Sequence, residues 1–198
     1  SKTFNIAKQN LKLGNQILFF INRRGFAPYV LCKKCLKVFS CPYCSINLVY
    51  HKNKKNLLCH YCGYKSSLNK KCEKENLCDF VFSGSGVERI FEEVKLLFPN
   101  EKISIFSSDT MNKASSRNIL EKIIKGEINI LIGTQLISKG FHFPNLNCII
   151  ILDIDLTSQG HDLRSAEKNL QLYHQLSGRA GREGKPATVY FQTYDLKP

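Results

Sequence analysis

The sequence predicts an α/β domain, a mainly parallel sheet with helices on both faces, that carries an inserted small zinc-binding module. Three observations predict it. Apolar runs of strand length alternate with segments of helical periodicity. The alternation is interrupted from about Ala27 to Phe80, where Cys, Lys, Asn and Tyr dominate and helical periodicity disappears. Inside that interruption stand three dithiol pairs, Cys32-x2-Cys35, Cys41-x2-Cys44 and Cys59-x2-Cys62. Residues 1–26 and 81–198 therefore form the larger domain, and 27–80 the insert.

Gln16–Ile21 is a continuous apolar run, the pattern of a buried parallel strand, and it breaks at the polar turn Asn22-Arg23-Arg24-Gly25. After the insert, Ser83-Gly84-Ser85-Gly86 leads into a helix over Val87–Phe98 with Ile90, Phe91, Val94, Leu97 and Phe98 inward, stopped by Pro99-Asn100. Ile103–Phe106 reads as a strand, and Ala114–Lys125 as a helix with Ile119, Leu120, Ile123 and Ile124 inward. Asn129–Ile132 and Cys148–Leu152 are two further buried strands, Leu163–Leu176 a helix and Thr188–Gln192 a last strand.

The chain of 198 residues has a formal net charge of +13. Two four-thiolate sites with their dications would lower it to roughly +9, still basic, so a polyanion such as nucleic acid is the expected partner. A secreted disulfide framework is disfavoured by the opening Ser1-Lys2-Thr3-Phe4, which is not an apolar signal region, and by an α/β body that needs no staples. No apolar run approaches ~20 residues, so no membrane partner is expected. The expectation is a cytoplasmic protein with reduced thiols.

Zinc takes thiolates tetrahedrally, and Cys-x2-Cys lets one tight knuckle present two sulfurs. Gly63 after Cys62 suits such a turn through positive φ, and Pro42 stiffens another. Three pairs do not close two sites, so a fourth is required. Cys72 starts it; its Cys-x2-Cys partner position is Glu75, and the next cysteine is Cys78. Either can complete the site, and softness favours the Cys78 thiolate. His51 and His60 are possible replacement ligands but read as ordinary surface or packing histidines, because Cys59 and Cys62 already make a complete pair, and Cys148 reads as core.

Gly133-Thr134-Gln135 follows a buried strand directly, at the carboxyl end where open parallel sheets meet ligands. Its polar groups, with Lys139-Gly140, suit phosphate contact. In Gln175-Leu176-Ser177-Gly178-Arg179-Ala180-Gly181-Arg182, glycines free the backbone near a helix end. Gln175, Arg179 and Arg182 share one side if helical spacing continues, and such arginines can stabilise charge on a transferred phosphoryl group. A second class of function is a non-enzymatic scaffold. Tyr29, Phe39, Tyr43, Tyr50, Tyr61 and Tyr64 interleave with Lys33, Lys34, Lys37, Lys52, Lys54 and Lys55, the chemistry of single-strand binding unless those rings fill the module's core.

These segments resemble the C-terminal helicase lobe of the primosomal, replication-restart family of superfamily 2 DNA helicases. The likeness runs through residues 22–28 (Asn-Arg-Arg-Gly-Phe-Ala-Pro), the cysteine insert and the segment from Gly133 to Pro144 that corresponds to helicase motif V. Asp153-Ile154-Asp155, Asp162–Glu167 and the motif VI segment Gln175–Arg182 complete it. The resemblance implies a RecA-like second motor lobe of a 3′→5′ DNA helicase with two Zn²⁺, and ATP with Mg²⁺ in the full-length protein. Arg179 and Arg182 would face ATP across the lobe cleft, Gln175 the γ-phosphate, and Gly140 and Gly178 the nucleotide side. Arg23, Arg24, Thr134, Gln135 and Lys139 would lie near DNA backbone or the lobe interface. The implied partners are forked or single-stranded DNA, the N-terminal lobe and DNA-binding region of the same protein, and other primosome and single-strand-binding proteins.

The family pairing would join Cys32 and Cys35 to the Cys72 pair, and Cys41 and Cys44 to Cys59 and Cys62. Two departures stand out: Glu75 occupies the place of a family cysteine, and His142 that of an acidic residue common in related helicases. The sequence has no Gly-x4-Gly-Lys-Ser/Thr loop, so the chain by itself lacks a complete cradle for ATP and Mg²⁺ and is expected to be inactive alone.

Overall fold

The computed structural model describes residues 2–23, 26–68, 71–72, 74, 76–107, 113–138, 142–152, 154, 165–178, 180–182 and 185–193. The chain divides into two compact units, one of Ser1–Asn22 with Lys95–Pro198 and one of Arg23–Val94.

The first unit is built on a five-stranded sheet of β1 (Gln16–Phe20), β7 (Ile103–Phe106), β8 (Ile130–Gly133), β9 (Leu146–Ile151) and β12 (Thr188–Phe191), ordered β12-β9-β1-β8-β7. All four pairings are parallel, and β1 is central, which is why its five residues are buried without alternation. Helices α1 (Lys2–Lys12), α3 (Lys113–Ile124) and α4 (Ser165–Ser177) accompany the sheet. Leu18, Phe20, Phe106, Ile123, Leu131 and Ile149 form the heart of the core. Gln16 is buried at the start of β1, where its amide donates to the carbonyls of Ile123 and Ile128 at 2.8 and 2.7 Å, tying the end of α3 to the sheet.

Two helix faces are narrower than their periodicity predicts. Leu97 of α2 (Val87–Leu97) is 55% exposed while Ile90, Val94 and Phe98 are buried; Ile124 of α3 is 45% exposed while Ile123 is fully buried. Both outliers sit at the edge of a stripe already filled by residues three and four apart. The helix α1 has no counterpart in the sequence reading, because its only buried residue is Ala7.

The second unit holds short strands: β2 (Tyr29–Cys32) antiparallel to β6 (Phe80–Ser83), and β3 (Val49–His51), β4 (Asn56–Leu58) and β5 (Lys65–Ser66) in a three-stranded antiparallel sheet. Its core mixes Val30, Phe39, Leu48 and Leu57 with Cys32, Cys41 and Cys59. The unit is wider than the expected 27–80 insert, because β6 closes on β2 and the N–H of Val87, at the start of α2, donates to the Arg23 carbonyl at 3.1 Å. At Gly84 the backbone turns with φ +82°, and an added Cβ would lie 2.9 Å from Pro28 Cγ.

Candidate metal centres and the carboxyl edge of the sheet

Each Cys-x2-Cys pair folds into the same knuckle. The N–H of Leu36, Ser45 and Gly63 donates to the carbonyl of Cys32, Cys41 and Cys59 at 2.8, 2.9 and 2.9 Å. The N–H of each first cysteine donates in turn to Lys37, Ile46 and Tyr64 at 3.0, 2.7 and 2.8 Å. The residue after the second cysteine takes positive φ in all three: Leu36 at 61°, Ser45 at 55° and Gly63 at 79°. Sequence reading found this turn only at Gly63; the other two lack the glycine that would have signalled it.

The knuckles gather into two thiol clusters, Cys32, Cys35, Cys72 and Cys78, and Cys41, Cys44, Cys59 and Cys62, with the sulfurs of each cluster within 4.8 Å of one another. Tetrahedral zinc with Zn–S near 2.3 Å separates its sulfurs by about 3.8 Å. Cys32 and Cys72 Sγ lie 3.7 Å apart, and Cys41 and Cys62 Sγ 3.5 Å, close to that separation, and each set offers the four soft donors such an ion takes. Cys78, whose Sγ also lies 3.5 Å from the Lys71 carbonyl, stands with the first cluster; Glu75 lies outside the described residues.

The electrostatics suit a dication. The backbone N–H of Cys35 points at Cys32 and, against burial, holds its thiol at about 6; that of Cys62 holds Cys59 at about 7. Burial first, then neighbouring sulfurs, push Cys44 and Cys78 up to about 12. Each cluster thus holds one thiolate readily and resists further negative charge, a penalty that a bound dication reverses. Cys148, fully buried in β9, is raised to about 12 by burial alone.

Of its two expected settings, surface or packing, His51 takes the buried one. It is 1% exposed, its Nδ1 lies 2.9 Å from Glu88 Oε1, and its Nε2 lies 3.0 Å from His60 Nε2. The second Glu88 oxygen accepts the Lys52 N–H at 3.0 Å. Burial alone would raise the Glu88 carboxyl, but the bond and charge of His51 with the N–H groups of Lys52 and Asn53 outweigh it and leave it below its ordinary value. Residues 51 and 88 are 37 apart, so no local pattern reveals the pair.

In the first unit the strands run parallel, so Phe20, Phe106, Gly133 and Ile151 end at one edge. Thr134 is buried there, its N–H on the Phe106 carbonyl at 3.4 Å, while the exposed Gln135 opens a 3-10 turn, Gln135–Ser138, whose Ile137 is buried in the core. Helix α4 packs against that turn, and Phe143 pairs with Ala180. Gln175 and Gly178 are exposed at the end of α4, but helical spacing does not continue to Arg182: α4 stops at Ser177, and Arg182 lies in the short strand β10 (Gly181–Arg182), antiparallel to β11 (Lys185–Pro186). Arg24, Lys139, Gly140 and Arg179 lie outside the described residues, as does the side chain of Arg182. His142 is exposed.

In the second unit the Arg23 guanidinium stands 5.7 Å from the Tyr29 ring centroid. The aromatic residues of the cysteine segment sort into two groups. Phe39 is buried, and Tyr50 stacks on Phe82 at 4.3 Å, whereas Tyr43 and Tyr61 are 77% and 84% exposed. Among the described residues no helix is long and apolar enough to cross a membrane.

Residues 3–184 match the helicase conserved C-terminal domain. The chain is 46% identical over 192 residues to the replication restart protein PriA of Rickettsia felis, and 39% and 37% identical over 188 residues to those of Haemophilus influenzae and Bacillus subtilis. Each likeness covers 94% of this chain but only 29%, 26% and 23% of those relatives, so the chain spans less than a third of their length.

Proposed function

The chain belongs to the family of helicase conserved C-terminal domains, and from that premise we propose that it is the second motor lobe of an ATP-dependent 3′→5′ DNA helicase acting in replication restart. The observation that carries this reading is the approach of the turn Gln135–Ser138 to α4, and of Phe143 to Ala180, beside the carboxyl edge of a parallel sheet. Brought together, Thr134 and Gln135 serve DNA backbone or the partner lobe, and Gln175 and Gly178 at the end of α4, with Arg179 and Arg182 from the segment that follows, serve the nucleotide. ATP and Mg²⁺ are held chiefly by the rest of the protein. Arginines from this side stabilise charge on the transferred phosphoryl group, a contribution of about 10³-fold or more in systems that use one. Lys139, Gly140, Arg23 and Arg24 belong to the same DNA-facing and interface set. The cysteine unit, an insert within the lobe, carries two structural Zn²⁺, one on Cys32, Cys35, Cys72 and Cys78 and one on Cys41, Cys44, Cys59 and Cys62. Its partners are forked or single-stranded DNA and primosome proteins.

In the full-length protein, Arg179→Ala and Arg182→Ala should each abolish DNA-stimulated ATP hydrolysis while sparing DNA binding. Retained hydrolysis in both single variants removes the arginine assignment.

A second role is favoured by Tyr43 and Tyr61, each exposed at the third position of a knuckle. The insert would use them to stack bases of single-stranded DNA or to dock primosome proteins without hydrolysis. Stacking is worth ~1–3 kcal/mol per base, so Tyr43→Ala with Tyr61→Ala should weaken nucleotide-free single-strand binding about 30-fold or more. Unchanged binding leaves the insert without that role.

A further inference from the structure

The structure points to a coupling device that rests on the metal reading above: we propose that His51 is a positioning residue linking occupancy of the Cys41, Cys44, Cys59, Cys62 site to the anchoring of the first turn of α2. His60 lies in the knuckle between the ligands Cys59 and Cys62, so a bound ion that draws those sulfurs inward also fixes the backbone carrying its imidazole. That imidazole meets His51 Nε2 at 3.0 Å, and His51 in turn meets Glu88, the second residue of α2, at 2.9 Å. Across the contact between the two Nε2 atoms one nitrogen donates and the other accepts. At its other end His51 gives the Nδ1 proton to a carboxylate whose remaining oxygen is taken by the Lys52 N–H. His51 is buried, so water does not replace a lost partner there. Emptying the site releases His60, leaves His51 without its acceptor or donor, and loosens the Glu88 bond. By reciprocity, cutting the chain of bonds at His51 weakens the ion by the same factor.

The other thiol cluster supplies an internal control, because its described knuckle, Cys32-Lys33-Lys34-Cys35, carries no histidine. In His51→Asn the side-chain amide takes the place of Nδ1 and keeps Glu88, but does not reach His60. In the full-length protein, Zn²⁺ affinity of each site is read by alkylation of its cysteines along a chelator titration. Protection of α2 is read by amide hydrogen exchange. His51→Asn should weaken the Cys41 site by about fivefold or more, the lower range of coupling between sites, and leave the Cys32 site unchanged. A Cys62→Ser change should raise exchange in the first turn of α2 in the wild type and have no such effect when His51→Asn is already present. Glu88→Gln, which keeps the shape and removes the charge, should also weaken the Cys41 site selectively, and it decides the matter if His51→Asn fails to fold. Equal loss at both sites, no loss at either, or an α2 that still responds to Cys62→Ser in His51→Asn overturns the coupling. Wild-type protein with no ion on the Cys41 set defeats the metal reading and the coupling with it; two ions without selective loss defeat the coupling alone.

Discussion

Glu88 is a buried carboxylate whose charge is set by its surroundings. Its carboxyl sits below the ordinary value of 4.5, because the His51 bond and charge and two backbone N–H groups outweigh the cost of burial. A depressed folded-state value means that the unfolded chain binds the proton more readily, so stability from this group is complete above the ordinary carboxylate range and is lost as pH falls through the folded value. Glu88→Gln should cost about 1–3 kcal/mol at neutral pH, and the difference from wild type should shrink below about pH 4.5. Urea unfolding at the two pH values checks it. A difference that does not change with pH removes the charge argument.

Among elements, the three knuckles show how far spacing carries and where it stops. Cysteine pairs announced each turn, and the count of pairs demanded a fourth even where Glu75 breaks the pattern. The strands of the parallel sheet were legible because a run such as Gln16–Phe20 is buried on both faces. The helix α1 was not, since a polar segment with one buried alanine has no stripe to read. Nor was the bond between His51 and Glu88, which depends on the strand β3 meeting α2 in space. The left-handed turns at Leu36 and Ser45 were hidden by side chains that pay a conformational cost there. That cost makes a testable contrast. Gly63→Ala meets no neighbour within 4 Å, so it should lose only the left-handed penalty, about 1–2 kcal/mol. Gly84→Ala adds a 2.9 Å approach to Pro28 Cγ and should lose more. Ser45→Gly relieves the strain and should be neutral or slightly stabilising. Chemical denaturation of the three variants orders them, and an equal loss at Gly63 and Gly84 would show that the Pro28 contact is irrelevant.

At the scale of the whole molecule, the two units owe their order to different physics. The unit of Ser1–Asn22 and Lys95–Pro198 has a five-stranded parallel sheet and an apolar core drawn from strands and helices. The unit Arg23–Val94 has strands of two to four residues, and cysteines form a large part of its core. So small a core holds poorly without a staple, and a structural zinc site in a small domain contributes on the order of 10 kcal/mol. Removal of metal should therefore act on one unit only. After chelation under reducing conditions, amides of β3 and β4 should lose hydrogen-exchange protection by several orders of magnitude, because about 1.4 kcal/mol corresponds to each factor of ten. Amides of β1 and β9 should keep theirs, since their partners are one another and β8 and β12. Readdition of Zn²⁺ should restore the first set. If β1 and β9 lose protection together with β3 and β4, the sheet depends on the ions and the two units form one cooperative body. If β3 and β4 stay protected, the thiol clusters are dispensable for the fold.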